Sequence, residues 1–135
     1  MAKATGLTHN QQIVFDVLSH ADRPQTAYEI LGSELAHENG LKAPLTIYRA
    51  LEALVDKALV HRIESLNAFI ACDHEPHPEP AAFLICRNCR KTHETTMEAC
   101  SGIFQATARQ QLFTVEQVTI EMSGLCAECQ AQARS

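Results

Sequence analysis

The chain has 135 residues, a mass of 14.9 kDa and a formal net charge of −5, and it contains six cysteines and seven histidines. An apolar fraction of 46% and a charged fraction of 20% indicate one globular domain or two small ones, and exclude a disordered chain. The longest unbroken apolar run has six residues, so we expect neither a membrane-spanning helix nor a signal peptide. We therefore expect a cytoplasmic protein whose cysteines bind metal or carry redox chemistry, and the acidic balance excludes a basic nucleic-acid coat protein.

Three amphipathic helices are predicted in the first half of the chain. Thr8 and Thr26 each stand three residues before a Gln or Glu, which is the capping-box pattern that starts a helix. The second helix is predicted to end at Asn39 and Gly40, and the third to begin near Pro44, a residue favoured at the first helical position. Apolar residues recur at helical spacing in each segment, so each helix is expected to bury one face.

Two short alternating segments after the third helix predict a β-hairpin. The strands are residues 59–63 and 68–72, and Ser65, Leu66 and Asn67 connect them. Three short helices and a hairpin within about 65 residues are typical of a winged helix-turn-helix. A small α+β bundle with no role in DNA binding fits the same pattern.

A proline-rich segment follows the hairpin. Residues 73–80 hold three prolines and two histidines, a composition that we interpret as a hinge. Beyond it, a strand over residues 82–85, a helix over 97–112 and a strand over 113–122 predict a β-α-β lobe. Because such a lobe is too small to bury a large core, we expect it to need a metal ion, a partner subunit or both.

Four of the six cysteines form two CxxC pairs, Cys86 with Cys89 and Cys126 with Cys129, and 36 residues separate the pairs. Two CxxC turns can close a tetrahedral site of four thiolates, which is a ligand set of structural zinc. Four protein ligands leave no coordination position open, so such a site stabilises a fold and does no chemistry. Two separate dithiols or a redox pair are the alternatives.

A second site with mixed ligands is suggested by residues around the predicted hinge. Cys72 ends the hairpin, and His61 lies on the preceding strand. Further candidates follow in the chain: His74, His77, His93 and Glu94. One thiolate, two imidazoles and one carboxylate suit zinc and bind it more reversibly than four thiolates do. Spacing alone leaves open that these histidines are ordinary surface or core residues.

Four stretches of the sequence resemble the ferric uptake regulator superfamily, and specifically its zinc uptake regulator branch. They are residues 44–54, which include Thr46-Ile47-Tyr48-Arg49, and residues 59–65, 84–89 and 124–129. The resemblance covers roughly residues 8–129. It implies a homodimeric, metal-sensing transcriptional repressor that binds double-stranded operator DNA, is not an enzyme and has no small-molecule substrate. The implied α+β fold has a winged helix-turn-helix over residues 1–72, a hinge over 73–80, and a small α/β dimerisation domain with a four-cysteine zinc site over 81–135.

Carried over position by position, the resemblance implies two zinc ions (Zn²⁺) per protomer. The structural ion is bound by Cys86, Cys89, Cys126 and Cys129. The regulatory ion is bound by His61, Cys72, His77 and Glu94, with His74 competing with His77 and His93 competing with Glu94. The expected DNA contacts are Tyr48 and Arg49 on the recognition helix, with Thr46, Arg23, Lys42 and Arg62.

The pattern favours zinc over iron as the sensed metal. Residues 79–83 read Glu-Pro-Ala-Ala-Phe where iron-sensing members carry a histidine-rich run, and Gln117 stands where a histidine is common. The thiolate of Cys72 also suits zinc better than an iron site of oxygen and nitrogen ligands. We therefore expect a zinc-responsive repressor of zinc-uptake genes. The alternatives are an iron- or peroxide-sensing regulator and a zinc-stapled protein-interaction module. A zinc enzyme is the least favoured alternative, because no HExxH motif is present.

The predicted DNA-binding half of the chain is not basic. Residues 1–68 carry six Lys or Arg and eight Asp or Glu, a net charge of −2. We therefore expect DNA binding through a few placed cations. Zinc is then expected to act through geometry, by tying the DNA-binding domain to the dimerisation domain, and not through bulk charge.

Overall fold

The computed structural model describes residues 6–72 and 81–134, and the chain divides into two compact units, Met1–Pro76 and His77–Ser135. Both units combine helices with a small sheet, in agreement with the predicted α+β class. Within the described ranges, no helix has the length and apolar character needed to cross a membrane.

The first unit opens with helix α1, His9–His20. The Thr8 hydroxyl accepts the Gln11 N–H at 3.2 Å and the Gln11 side chain accepts the Thr8 N–H at 3.2 Å, so the predicted capping box is confirmed. The same reciprocal pair, formed by Thr26 and Glu29, starts the next helix. These local bonds satisfy backbone donors that the helix itself leaves unpaired.

The single second helix predicted up to Asn39 and Gly40 is wrong, because the segment forms two helices. Helix α2 spans Ala27–Leu31 and helix α3 spans Glu34–Glu38. Gly32, a poor helix former, ends α2, and the Ser33 hydroxyl accepts the Ala36 N–H at 3.2 Å and starts α3. A serine cap therefore interrupts an apolar pattern that is continuous at helical spacing.

Helix α4, Pro44–Asp56, begins at the predicted proline and packs mainly on α1 and α2. Its apolar side forms the centre of one hydrophobic cluster that also includes residues of α1, α2 and the hairpin. The largest side chains of this cluster that are less than 2% exposed are Val14, Ile30, Ile47, Leu51, Leu54 and Val60.

The predicted hairpin is confirmed to within one residue at its outer ends. Strand β1, Val60–Ile63, pairs antiparallel with β2, Ala68–Ala71. A 3₁₀ turn over Glu64–Leu66 connects the two strands together with Asn67. The backbone of Asn67 is in the left-handed region, at φ 49°. Gln25 adds a bridge to Phe69 on β2, and this completes a winged helix-turn-helix.

The second unit holds a three-stranded sheet in the order β4-β3-β5. Strand β3, Ala81–Cys86, is antiparallel to β4, Thr92–Thr96, and parallel to β5, Thr119–Gly124. Helix α5 spans Glu98–Gln110 and helix α6 spans Ala127–Arg134.

The predicted β-α-β lobe was incomplete, because it omitted β4 and α6. The last strand was predicted over residues 113–122 but begins only at Thr119, where pairing with β3 starts. The helix predicted over 97–112 ends at Gln110, and Leu112 then adopts a left-handed conformation at φ 55°. Pairing with the central strand, and not local alternation, sets the limits of β5.

Candidate metal centre and nucleic-acid interface

The four cysteines of the two CxxC pairs lie together in the second unit. One ligand atom from each of Cys86, Cys89, Cys126 and Cys129 lies within 4.8 Å of the others. The sheet brings the pairs together, since the parallel register places Gly124 beside Cys86 and the Arg87 N–H donates to the Gly124 carbonyl at 2.9 Å. Helix α6 then carries Cys129 back toward the end of β3.

The backbone around the first pair forms a tight turn that aims both sulfurs inward. The Arg90 N–H donates to the Cys86 carbonyl at 2.9 Å, and Arg90 holds a left-handed φ of 68°. The Cys89 N–H points to the Cys86 Sγ at 3.5 Å, and the Asn88 amide donates to the Cys129 Sγ at 3.2 Å. Four sulfurs in a cluster of this size fit a tetrahedral metal ion of the zinc type.

The thiols of the cluster have opposed pKa shifts. Backbone hydrogen bonds from Cys89 and then Cys126 stabilise the thiolate of Cys86 and lower its pKa to about 5. At Cys129 the Asn88 amide favours the thiolate, but the hydrogen bond with Cys126, burial and the bonds with Cys86 and Cys89 together raise its pKa to about 11. The cluster therefore keeps a proton that a divalent cation displaces when it binds.

His61 and Cys72 lie close together in the first unit. His61 is half-buried on β1, with its Nε2 atom withdrawn from solvent, and Cys72 follows β2 and is 7% exposed. The Cys72 N–H donates to the Leu59 carbonyl at 2.9 Å, which fixes the cysteine beside the start of β1. The ligand atoms of His61 and Cys72 are within 4.8 Å of each other, a separation that one zinc ion can bridge.

Glu94 and its competitor His93 are neighbours on β4, and their side chains lie on opposite faces of the sheet because strand residues alternate. Glu94 is half-buried and stands opposite the fully buried Phe83, whereas His93 is exposed and stands opposite Leu84. Burial therefore favours Glu94 as a ligand. The other two candidates, His74 and His77, lie outside the described residues.

Helix α4 presents the predicted base-reading residues of the first unit. Tyr48 is 38% exposed and Arg49 is exposed, so both side chains are available to a partner. Thr46 is half-buried and turns toward the start of α1, where it and Arg49 line a groove of about 230 Å³ with Gln11. Thr46 is therefore less accessible to a partner than Tyr48 and Arg49.

The other predicted cations differ in how they are held. Arg23 is paired with Asp22 at 3.1 Å, and Arg62 donates to the Asn67 side chain at 3.0 Å, while Lys42 is exposed just before α4. Leu45 is not among the predicted DNA contacts, and it is 58% exposed at the start of α4. It stands three and four residues before Tyr48 and Arg49, so the three side chains lie on the same side of the helix.

The model of the ferric uptake regulator family matches residues 3–123. The chain belongs to the ferric uptake regulator family. The zinc uptake regulation protein of Escherichia coli (strain K12) is 32% identical to it over 124 residues, which cover 91% of this chain and 72% of that protein. Membership of the predicted superfamily is therefore confirmed.

Two solved structures are similar to the whole fold. A zinc uptake regulator complexed with zinc and DNA matches with a TM-score of 0.88 and 29% identity, over 95% of this chain and 85% of that one. The crystal structure of holo XcZur matches with a TM-score of 0.80 and 35% identity, over 93% of this chain and 86% of that one. A likeness of this extent covers both the winged helix and the unit that carries the cysteine cluster.

Proposed function

We propose that this protein is a zinc-responsive transcriptional repressor that binds double-stranded operator DNA as a zinc-loaded homodimer and controls zinc-uptake genes. It is a DNA-binding regulator of the cytoplasm, not an enzyme, and it has no small-molecule substrate. The observation that carries the proposal is the likeness over 95% of the chain to a zinc uptake regulator complexed with zinc and DNA. The chain's own cysteine cluster and exposed recognition helix supply the chemistry that this function needs.

The structural zinc site consists of Cys86, Cys89, Cys126 and Cys129. These residues fit the ion, because they offer four sulfurs within 4.8 Å of one another at the end of a three-stranded sheet. Zinc supplies a fourfold cross-link there and no open coordination position. The chain's own part is to hold the two turns in place through β3, β5 and α6, and the Asn88 amide orients the Cys129 sulfur.

The regulatory zinc site consists of His61, Cys72, His77 and Glu94, which makes two zinc ions per protomer. The proximity of His61 to Cys72 and the burial of Glu94 support this ligand set. Since the ligands come from both the winged-helix part, residues 1–72, and the dimerisation part, residues 81–135, zinc binding selects one arrangement of the recognition helices. A tenfold gain in DNA affinity requires a coupling free energy of only about 1.4 kcal/mol.

Homodimer formation has a structural basis in the second unit. Within its described residues, several large apolar side chains remain exposed to solvent, which is unusual for a surface that has no partner. They are Leu84, Ile103, Leu112, Phe113 and Met122. A second copy of the chain that covers them brings two recognition helices together for the two half-sites of one operator.

DNA recognition falls to α4, with Arg49 suited to a guanine edge and Tyr48 to a thymine methyl group or a phosphate. Arg23, Lys42 and Arg62 suit phosphate contacts, with Thr46 at the edge of the interface. These cations are few, so we expect modest non-specific affinity and strong discrimination between operator and other DNA.

A binding titration tests the function. Duplexes are selected from a randomised double-stranded library with the zinc-loaded full chain, and their affinity is measured by fluorescence anisotropy at stepwise concentrations of Zn²⁺, Fe²⁺ and Mn²⁺. We expect sequence-specific binding that rises with zinc and is lost on mild chelation. Binding that follows Fe²⁺ instead identifies an iron sensor, and no selected sequence at any metal concentration refutes a regulator.

A further inference from the structure

The side chains of α4 point in directions that its helical geometry fixes, since each residue turns the helix by about 100°. Ile47, Leu51 and Leu54 are at most 1% exposed and therefore define the side that faces the core. Leu45 precedes Leu54 by nine residues, which places it about 180° around the helix axis. It is 58% exposed, so a large apolar side chain stands directly opposite the core in the first turn of the helix.

Two grooves flank this leucine. The first, of about 230 Å³, lies between α4 and the start of α1, and Thr46 and Arg49 belong to its α4 wall. The second, of about 400 Å³, lies between α4 and the hairpin, and Tyr48 and Glu52 belong to its α4 wall. Leu45 therefore forms the ridge between the side of the helix that carries Arg49 and the side that carries Tyr48.

The charge along the outward side of α4 decides which part of the helix can approach DNA. Glu52 and Asp56 lie within about 20° of Leu45 around the helix axis, and both are exposed. Their carboxylates repel phosphates, whereas the first turns of the helix carry Leu45, Tyr48 and Arg49 without an acidic residue. The N-terminal end of α4, with Leu45 at its crest, is thus the part that enters the groove most deeply, as N-terminal residues of recognition helices do.

We propose that Leu45 determines sequence specificity by packing against the C5-methyl group of a thymine in the major groove. The proposal rests on the DNA-binding function proposed above. Thymine alone among the four bases presents a methyl group in that groove, and an exposed leucine on the ridge offers an apolar surface but no hydrogen bond. Burial of one methyl-sized group changes affinity about fourfold, so we expect an effect of this size for each half-site.

Deoxyuridine scanning tests this contact, because replacement of thymine by uracil removes only the methyl group. The zinc-loaded full chain first selects a duplex from a randomised library. Each thymine of that duplex is then replaced singly by deoxyuridine, and affinities are measured by anisotropy for the wild type, Leu45→Ala and Leu45→Met. Melting temperatures of the variants verify that the exposed position leaves the fold intact.

The wild type is expected to lose about fourfold in affinity at one thymine of each half-site. Because both protomers carry the substitution, Leu45→Ala is expected to bind the unmodified duplex about 16-fold more weakly, about fourfold for each half-site. It is expected to lose nothing further at that thymine, whereas Leu45→Met keeps the sensitivity. A wild type with no methyl-sensitive thymine overturns the proposal, and so does Leu45→Ala with undiminished sensitivity. If the wild type selects no sequence at all, the DNA-binding function itself fails, which is a distinguishable result.

Discussion

Replacement of Cys89 by serine removes one of the four clustered sulfurs and tests whether bound zinc holds the second unit together. Among the described residues of this unit, the large apolar side chains that are fully or nearly buried are Phe83 and Ile85, at 0% and 4% exposure. The extended hydrophobic cluster of the chain belongs to the first unit. The second unit therefore has little apolar burial with which to offset the conformational entropy of folding.

The size of the effect follows from the geometry of the cluster. The Cys89 and Cys126 sulfurs are 3.8 Å apart, and 36 residues separate these cysteines in the chain. By the chain-entropy argument, a cross-link that closes a loop of this length stabilises the fold by about 4 kcal/mol. For a unit of this size, complete loss of the cross-link lowers the Tm by about 15–30 °C.

Calorimetry on the zinc-loaded full-length protein measures this loss, and size-exclusion chromatography follows the dimer. Cys100→Ser is the matched control, because Cys100 is a half-buried cysteine on α5 that lies outside the cluster. We expect the control to melt within a few degrees of the wild type and Cys89→Ser to melt far lower and to lose its dimer. If Cys89→Ser keeps the wild-type Tm and an intact dimer, the cluster is not a structural site.

Three other side chains, those of Cys72, Cys129 and Arg49, give separate tests. Cys72→Ser removes the thiolate of the proposed regulatory site, so we expect a folded dimer whose DNA binding no longer responds to added zinc. Anisotropy measures this response, and a normal zinc response excludes Cys72 as a ligand. Zinc loading at pH 7 is expected to release protons, and zinc affinity to rise with pH, because the raised pKa of Cys129 keeps that thiol protonated without metal. Calorimetry in buffers of different protonation enthalpy counts these protons, and a count of zero contradicts the pKa assignment. Arg49→Ala is expected to weaken DNA binding about 10- to 100-fold with an unchanged Tm, since the side chain is exposed, and an unchanged affinity removes Arg49 from the interface.

The helix starts that depend on neighbouring residues could be predicted from the sequence. The capping boxes at Thr8 and Thr26 and the start of α4 at Pro44 each depend on residues within one helical turn. The break between α2 and α3 also depends on a local cap, at Ser33, but the continuous apolar spacing across it conceals the interruption.

The second unit was harder to predict because pairing with β3 defines its strands. Strand β4, Thr92–Thr96, contains no apolar residue and so gives no alternating signal, yet it pairs along β3 opposite Phe83 and Leu84. Helix α6 is similarly polar, and it starts directly after Cys126 and carries Cys129 in its first turn. Tertiary contacts, which a single sequence does not reveal, decide both elements.

The two proposed metal sites differ in the same way. Each CxxC pair is a local turn that holds two thiolates side by side, so the spacing of the cysteines alone predicts a site of four thiolates. The proposed ligands His61, Cys72, His77 and Glu94 come from separate parts of the chain. Only the family resemblance selects His61 and His77 from the seven histidines of the sequence. Burial and strand alternation now separate Glu94 from His93, which sequence spacing leaves as competitors.

The central claim is that one zinc ion holds the fold and a second one controls DNA binding. Native mass spectrometry of the dimer before and after mild chelation, with anisotropy on the selected duplex for the same samples, tests it most directly. We expect two zinc ions per protomer to fall to one while the dimer persists and sequence-specific binding disappears. Unchanged DNA binding after loss of the second ion, or a single ion per protomer in the DNA-binding form, would contradict the claim.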